Sequence, residues 1–394
     1  MRRSTQQVQN GGGDEEEAGL AAPLLGGGGN GGDGRTAWTP PTLPIIPPPL
    51  RPAASDAAAG SARAAWATRI SLASNVALLA AKGAAFAASR SRAVQASATD
   101  SLVDLASQAI LAWAAAAAGR TDAAYPVGKA RLATLGVAGS AAVMLVATLG
   151  VCGAAVDDLW AGLARGSPPA LDVGPALFGV LVGGTALKAG LFFLCRAAAR
   201  TARPGDGEAL STLAEDHRVD VLANSVAVAS SAAVAFGGPA AWPVDPVAAL
   251  LLSAYILAVW TTIFARTVGK IVGRAAPPEV MAALEGVVEA AAAAAAAGSG
   301  QGLAEPTTTA FTVDVLKAWF SGEALLVECE IVMHPATRLA ASHDVALGLQ
   351  HALEAVAVGD VCVERAYVHV DYARREEPEH APDRAAVARG GGGG

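Results

Sequence analysis

Long apolar stretches separated by short polar connections make up the middle of the chain. Each stretch has about 20 residues or slightly more, the length that crosses the hydrocarbon core of a bilayer as a helix. The six stretches fall at about residues 66–87, 93–115, 132–155, 173–196, 209–235 and 244–266. The pattern predicts an α-helical transmembrane bundle of six spans, with both termini on the same side of the membrane.

The periodicity changes after the sixth stretch. Residues 278–297 form an apolar run that ends at a Gly-Ser-Gly sequence, which indicates a helix. Residues 308–316 and 325–333 alternate or run apolar like strands, residues 339–356 have helical spacing, and residues 361–370 again resemble a strand. This order predicts a small C-terminal α+β domain with its helices on one face of a sheet.

Four segments follow from these patterns. Residues 1–62 combine glycine runs, an acidic cluster and a proline-rich stretch, and this composition predicts a disordered tail because it cannot bury a core. Residues 63–270 form the predicted transmembrane domain, and residues 271–381 form the predicted cytosolic α+β domain. The glycine-rich end, residues 382–394, is also predicted to be disordered.

The composition is typical of a membrane protein and argues against a soluble enzyme. Hydrophobic residues make up 53% of the chain and charged residues 16%, whereas soluble domains carry about 25% charged residues. The mean hydropathy is +0.40. A net charge of −7, without any basic run, argues against nucleic-acid binding. The motifs G-x-S-x-G, the Walker loop and H-E-x-x-H are absent from the sequence, so we expect neither an enzyme, nor an ATP-driven pump, nor a cofactor.

Lysine and arginine are unevenly distributed between the two sides of the predicted bundle. Twelve lie on the side of the termini: Arg51, Arg63, Arg69, Arg120, Lys129, Arg131, Arg196, Arg200, Arg203, Arg266, Lys270 and Arg274. Three lie on the opposite side: Arg90, Arg92 and Arg165. Because positive residues concentrate in cytosolic loops, we expect both termini and the α+β domain to be cytosolic.

Two of the predicted spans contain pairs of carboxylates, which are costly at bilayer depth and mark functional sites by default. Asp100 and Asp104 lie in the second span, and Asp216 and Asp220 lie in the fifth. The four-residue spacing places each pair on one helix face, where like charges repel and require a cation, bound protons or both. Either pair alone would also fit a solvated helix end, but two matched pairs favour a metal site. Four carboxylates suit a hard divalent ion, with Mn²⁺ ahead of Zn²⁺, because zinc sites usually recruit His or Cys.

Other polar residues lie near these pairs. Asn75 in the first span and Asn224, one turn beyond Asp220, offer amide oxygens as further ligands or as partners in hydrogen bonds between helices. His217 is adjacent to the aspartates and is a candidate proton relay or a residue on the cytosolic access path. Lys188, deep in the fourth span, is expected to pair with a carboxylate rather than to reach a lipid headgroup.

A series of short motifs runs through both predicted domains. It consists of SRSRAVQASATDSLVDLAS at 89–107, YPVGK at 125–129 with Arg131, Asp216-His217 with Asp220 and Asn224, Asp245-Pro246, GRAAPPE at 273–279, YVHVDY at 367–372 and PEH at 378–380. In order and spacing, these motifs resemble the cation diffusion facilitators, and specifically the manganese-type metal tolerance proteins of plants and algae. The resemblance covers about residues 66–381.

This resemblance implies a homodimeric metal/proton antiporter with six spans and a cytosolic ferredoxin-like domain that supplies dimerisation. Zinc members of the family typically carry His at one or more of four membrane positions, whereas the manganese group carries D-x-x-x-D in both spans. The present chain has Asp at all four positions: Asp100, Asp104, Asp216 and Asp220. It departs from the manganese group at Arg218 and Val219, where two bulky apolar residues usually follow Asp-His. Arg218 lies about 200° around the helix from Asp216 and should face away from the pair.

The expected function is export of Mn²⁺ from the cytosol, into a vacuolar or Golgi-type lumen or out of the cell, in exchange for protons. One Mn²⁺ cancels only half of the charge of four ionised aspartates, so an empty site should take up protons that metal binding expels. The expected partners are a second copy of the chain, the lipid bilayer, Mn²⁺ and H⁺. One alternative keeps the fold with Zn²⁺ or Fe²⁺ as the main substrate. Another is a membrane metal sensor that does not transport, for which Arg218 is the sequence hint.

The predicted cytosolic domain also contains metal-capable side chains, namely Glu330, His343, His369 and Asp371. Relatives bind regulatory zinc in this domain, but manganese members mostly lack the full set of histidines. We therefore expect these four residues to be solvated side chains rather than metal ligands.

Overall fold

The computed structural model describes residues 54–89, 92–120, 122–166, 175–202, 204–237, 239–298, 309–359 and 361–374. Residues 1–53 of the predicted tail, residues 375–381 and the predicted disordered end at 382–394 lie outside the described residues. The tail prediction is wrong for residues 54–62, which are helical. This stretch is rich in alanine, the residue with the highest helix propensity, so it extends the first helix instead of the tail.

Six long helices form the first part of the described chain. They are α1 (Ala54–Ser89), α2 (Arg92–Ala118), α3 (Arg131–Arg165), α4 (Pro175–Ala199), α5 (Pro204–Gly237) and α6 (Val244–Val272). Each predicted span falls within one of these helices, except that residues 173 and 174 lie outside the described residues. A short 3₁₀ turn at Pro239–Ala241 connects α5 to α6.

Length and composition alone identify a slightly different set of six membrane-spanning helices in the described chain. This set contains α1, α2, α3, α4, α6 and the following helix α7 (Pro278–Gly298), but not α5. Charged residues lower the hydropathy of α5, yet this helix packs along α4 and α6. Helix α7 is apolar because of its alanine run, but it packs on a β-sheet. The bundle therefore consists of α1–α6, as the hydrophobic pattern predicts.

Small residues allow the helices of the bundle to approach closely, as is typical of membrane proteins. Gly136 of α3 lies directly against Ala114 of α2, whose side chain would overlap a Cβ added at Gly136. Ser140, one turn beyond Gly136, lies 2.5 Å from Ser107 of α2 in a buried hydrogen bond between their hydroxyls. Helix α3 also packs along α6, and α4 packs along α5. Helix α2 also contacts α1 and α5, which carry the other candidate ligands.

The C-terminal part of the described chain is an α+β domain. Helix α7 is followed by β1 (Phe311–Ser321), β2 (Ala324–Met333), α8 (Leu339–Glu354), β3 (Ala357–Val358) and β4 (Val361–Asp371). The sheet has the order β1-β2-β4-β3, with β2 and β4 parallel and the other two pairs antiparallel. The predicted order of helices and strands is confirmed. Strand β1 extends beyond the predicted end at residue 316 because β2 pairs with it up to Ser321, and the two-residue strand β3 lacks any sequence signal.

One face of the sheet packs against both helices of the domain. The side chains of β2 alternate, and those of Leu325, Val327, Cys329, Ile331 and Met333 are buried. They form one core with apolar residues of α7 and α8, among them Leu284 and Leu349. On the other face, Tyr367 and His369 are exposed. The helices therefore lie on one side of the sheet, as the sequence predicts.

The sixth helix of the bundle continues directly into the sheet. It ends at Gly273, which has a φ of +94°, and the next residues form backbone hydrogen bonds with β1. The Phe320 amide donates to the Arg274 carbonyl (2.8 Å), and the Ala276 amide donates to the Ala318 carbonyl (2.9 Å). The α+β domain consequently lies at the end of the bundle where α6 ends and α3 begins.

Candidate metal site

The four aspartates lie on two helices of the bundle, at equivalent spacing. Asp100 and Asp104 follow each other by one turn of α2, and Asp216 and Asp220 do so in α5. Asp104 and Asp216 are buried, Asp220 is half-buried and Asp100 is exposed. The four carboxylates therefore differ in burial and do not all lie in one enclosed pocket.

Three of the four aspartates line one cavity of about 310 Å³ inside the bundle. Asp100, Asp104 and Asp220 contribute to its wall, whereas Asp216 does not. The cavity extends along α5 to Ser230, which donates a 2.5 Å hydrogen bond to Asp245 at the start of α6. It therefore extends toward the end of the bundle opposite the α+β domain.

Lys188 of α4 lies between two of these carboxylates. Its Nζ donates to Oδ2 of Asp104 (2.9 Å) and to Oδ2 of Asp220 (2.5 Å). Only 4% of this residue is exposed. The prediction that Lys188 pairs with a carboxylate is confirmed, and the ammonium connects the aspartate of α2 to that of α5.

Asp216, His217 and Asp220 form the tightest group of metal-capable side chains in the described part of the chain. Each offers one ligand atom, and these atoms all lie within 4.8 Å of one another. Nε2 of His217 lies 2.7 Å from Oγ of Ser71, and its Nδ1 is buried without a hydrogen-bond partner among the described residues. His217 is thus close enough to act as a ligand as well as in the predicted relay or access role.

The two asparagines of the predicted site differ in their surroundings. Asn224 lines the cavity on the same face of α5 as Asp220. Asn75 is buried, and neither atom of its amide group has a hydrogen-bond partner within the described ranges. A buried amide without a partner is costly, so the amide group of Asn75 is free to bind a ligand.

Polar residues that the sequence analysis does not single out complete the site. Gln108 donates through Nε2 to Oδ2 of Asp216 (3.4 Å), and its Oε1 accepts a 3.4 Å hydrogen bond from Oγ of Ser71. Lys82 lines the cavity and donates to the Ser97 carbonyl (3.0 Å) and to Oγ of Ser101 (2.7 Å). A usable signal was present, because Gln108 lies one turn beyond Asp104, and Ser71 lies one turn before Asn75.

Two lysines change the charge of the site. Lys82 and Lys188 both line the cavity, and each contributes one positive charge next to the four carboxylates. With all of these groups ionised, two negative charges are left. One divalent cation would therefore neutralise these six side chains; Asp245, which lines the far end of the cavity, is not included in this count.

Arg218 takes no part in this site, although it lies between the two aspartates of α5. Its Nε donates to Glu215 (2.6 Å), its Nη1 donates to the Tyr255 hydroxyl (2.6 Å), and its guanidinium lies over the Tyr255 ring. The prediction that Arg218 faces away from the aspartates is confirmed.

The metal-capable residues of the α+β domain do not converge. Glu330 and His369 are register neighbours on β2 and β4, Asp371 pairs with Val332 instead, and His343 lies on α8 next to Asp344. The side chain of His343 is 69% exposed. The Asp216 group is the only cluster of three such side chains within coordination distance in the residues that the structure describes.

Comparisons with known proteins agree with this architecture. The model of the cation efflux transmembrane domain matches residues 68–272, which include α5 and end at the last residue of α6. The chain is 30% identical to metal tolerance protein 10 of Arabidopsis thaliana, over 80% of this chain and 66% of that protein. It is 30% identical to metal tolerance protein 5 of Oryza sativa subsp. japonica and 31% identical to metal tolerance protein 11 of Arabidopsis thaliana, over 69% and 73% of their lengths.

The chain thus spans about two thirds of the length of the first of these relatives. The matched region contains most of α1, all of α2–α6 and both pairs of aspartates. Members of the matched family are transporters and not enzymes. The chain therefore belongs to the cation efflux family, the cation diffusion facilitators.

Proposed function

We propose that this protein exports a divalent metal cation, Mn²⁺ first among the candidates, from the cytosol in exchange for protons. The observation that carries the proposal is the set of carboxylates at the cavity: Asp100, Asp104 and Asp220 line its wall, and Asp216 belongs to the same close group as Asp220. The metal ligands are Asp100, Asp104, Asp216 and Asp220, with Asn75 and Asn224 as additional oxygen donors. Oxygen ligands of this kind suit Mn²⁺.

Proton exchange is supported by the charge of the site. With Lys82 and Lys188 included, the ionised site has two excess negative charges, which bound protons or one divalent cation neutralise. Metal binding then expels protons, and protons from an acidic compartment favour metal release. The destination that we propose is a vacuolar or Golgi-type lumen or the cell exterior, with both termini cytosolic.

Zn²⁺ is the second candidate substrate, and one observation favours it. His217 offers a nitrogen within 4.8 Å of the ligand atoms of Asp216 and Asp220, and nitrogen ligands are typical of zinc sites. Fe²⁺ is the third candidate, because it accepts both carboxylate and imidazole ligands. The three ions differ in their preference for His217, so replacing this residue should change the ranking.

The proposal is tested by uptake into proteoliposomes that contain the full-length protein, with Mn²⁺, Zn²⁺ and Fe²⁺ in competition. An acidic interior should drive accumulation, and a protonophore should abolish it. The variants Asp104→Asn, Asp216→Asn and Asp220→Asn should each lower uptake by about tenfold or more, because each removes an anionic ligand. Asp157→Asn is the matched control, since Asp157 is an exposed aspartate of α3 outside the cavity.

Three results contradict the proposal in different ways. Uptake that is retained in two or more of these aspartate variants would refute the site. Stoichiometric binding without accumulation would identify a metal sensor, the alternative from another functional class. Accumulation that is independent of the pH gradient would refute the exchange with protons.

The proposal includes a homodimer assembled through the α+β domain, as the family resemblance implies. Deletion of the chain from Pro278 onward should lower the crosslinked dimer fraction, because it removes the whole sheet with α7 and α8. An undiminished dimer in this truncated protein would place the dimer contacts in the bundle instead.

A further inference from the structure

Lys188 lies where a cation held by Asp104 and Asp220 would lie. Its ammonium is within hydrogen-bond distance of one carboxylate oxygen on each of two different helices. These contacts connect α2 and α5, the two helices that the proposed metal site also connects. A metal ion bound to the same two oxygens would take the place of the ammonium.

The surroundings of Lys188 restrict where its charge can lie. The residue is buried, and the neighbouring carboxylates are the counter-ions that its ammonium contacts. A divalent cation and an ammonium repel each other strongly at a shared pair of oxygens, so the two cannot occupy these oxygens together. The lysine has four methylene groups and can withdraw from the carboxylates without any change in the backbone.

We propose that Lys188 is a tethered counter-ion that competes with the transported metal for Asp104 and Asp220. The ammonium stabilises these two carboxylates after the metal leaves, and it lowers the affinity for the metal that binds next. Lys188 thereby lowers the affinity for the metal and raises the rate of its release. This inference rests on the proposed function, because it assigns a role in metal binding at the same site.

Lys82 provides a matched comparison within the same cavity. It has the same charge, but its Nζ donates to the Ser97 carbonyl and to Oγ of Ser101 and makes no hydrogen bond to the aspartates. A general effect of positive charge in the cavity would involve both lysines. Direct competition for the two carboxylates involves Lys188 alone.

The test uses the full-length protein, purified without metal, and measures the Kd for Mn²⁺ by equilibrium dialysis, with Zn²⁺ as a second probe. Lys188→Met removes the charge with little change in size, and it should tighten binding by about tenfold or more. Lys188→Arg keeps the charge and contacts two carboxylates through a planar fork, so it should weaken binding. Lys82→Met should shift the Kd much less than Lys188→Met.

Transport measurements separate this role from a structural one. In proteoliposomes, Lys188→Met should lower both the KM and the maximal rate, because the metal binds more tightly and leaves more slowly. A merely structural lysine would give weaker binding in Lys188→Met, which refutes the proposal. Equal effects of the Lys82 and Lys188 variants, or a Kd for Lys188→Met within about twofold of the wild type, refute it as well.

A labelling experiment covers the case in which Lys188→Met does not fold. In the wild-type protein, Mn²⁺ should increase the acylation of the Lys188 amine, read by mass spectrometry, because the metal displaces it from the carboxylates. Unchanged acylation overturns the inference. Failure of the proposed function has a different signature, because the wild-type protein would then accumulate no metal, whatever the order of the Kd values.

Discussion

At the residue scale, Arg218 illustrates how a charged side chain can lie within the aspartate segment of α5 and still leave the carboxylates to a metal. Its guanidinium is occupied by Glu215 on the same helix and by Tyr255 on α6. Its side chain is one third exposed, so these contacts are partly solvated and of limited strength. Arg218 therefore contributes to the surface between α5 and α6 rather than to the cavity.

We predict that Arg218→Leu leaves metal uptake within about twofold of the wild-type rate, because the variant loses a partly exposed ion pair and no ligand. Leucine is also the kind of apolar residue that the resemblance to the manganese group implies at this position. The measurement is initial uptake in proteoliposomes at equal protein density. A loss comparable with that of Asp220→Asn would show that Arg218 affects the site after all.

The residues of the site were predictable to different extents. The repeated four-residue spacing identifies the four aspartates, since like charges at one helix face need an explanation. The pairing of Lys188 follows from its depth in an apolar helix, but the choice of Asp104 and Asp220 as partners depends on how α2, α4 and α5 pack. Gln108 could have been included because it lies one turn beyond Asp104, but its contact with Asp216 depends on how α2 and α5 pack.

At the element scale, the contact between α2 and α3 positions Asp104. Gly136 lies so close to Ala114 that any side chain must displace one helix, and the hydrogen bond between Ser107 and Ser140 lies next to this contact. Ser107 is three residues beyond Asp104, so a shift of α2 at this contact also moves the carboxylate. Helix packing and metal geometry are therefore coupled.

We predict that Gly136→Val lowers the free energy of unfolding by about 1–3 kcal/mol, because it overpacks a close helix contact. Metal uptake should fall as well, since α2 moves. Gly150→Val is the control: it makes the same substitution in the same helix, where no atom lies within 4 Å of an added Cβ. Thermal unfolding in detergent and uptake in proteoliposomes measure the two effects, and equal stability of the two variants would contradict the packing argument.

The elements themselves were predictable where one physical signal dominates. Five helices of the bundle are long and apolar enough to be recognised by length and composition alone. Helix α5 was recognisable as an apolar stretch of similar length, although its charged residues lower its hydropathy. The poly-alanine helix α7 shows the limit of this signal, because hydropathy alone does not distinguish a membrane span from a helix on a sheet. The two residues of β3 are too few for any periodicity, so only their pairing with β4 defines that strand.

At the scale of the whole molecule, the bundle and the α+β domain meet through a charged contact. Lys270 at the end of α6 forms an ion pair with Glu208 of α5 and donates a 2.8 Å hydrogen bond to Glu323 in the turn between β1 and β2. Nearby, Nε of Arg131 on α3 donates to Oγ of Ser321 (2.9 Å), and Nη2 of Arg266 lies 3.9 Å from Oε1 of Glu208. The turn itself requires glycine at position 322. The φ of Gly322 is +79°, and an added Cβ would lie 3.0 Å from Oγ1 of Thr134 and 3.4 Å from Arg131.

Burial raises the pKa of Glu323 to about 8, with further contributions from a hydrogen bond to Glu208 and from the charge of Glu208. The ordinary pKa of this group is 4.5, so the docked turn retains a proton that a released turn would lose. The contribution of this proton to docking is complete below pH 4.5, the ordinary pKa of the group. It decreases as the pH rises and is lost above about 8.

We predict that the thermal stability of the junction falls as the pH rises from about 5 to about 9, and that Glu323→Gln removes much of this dependence. Glutamine keeps the side chain neutral throughout the range. The measurement is limited proteolysis and thermal unfolding of the full-length protein across this pH range. Glu364→Gln, at an exposed glutamate of β4, is the control and should behave like the wild type. A rise in stability with pH would contradict the sign of this prediction.

The two lysines of the cavity also determine how the protein responds to an electrical potential across the membrane. A membrane potential of 100 mV changes the free energy of each elementary charge that crosses the membrane by about 2.3 kcal/mol. The four aspartates of the two pairs, the two ammonium groups and one divalent cation sum to zero charge, and the sum stays zero when two protons replace the metal. Asp245, at the far end of the cavity, adds the same charge to both states. Neither half of such a cycle moves net charge. The exchange would then be electrically silent and would be driven by the gradients of metal and protons alone, even where the membrane voltage is reversed.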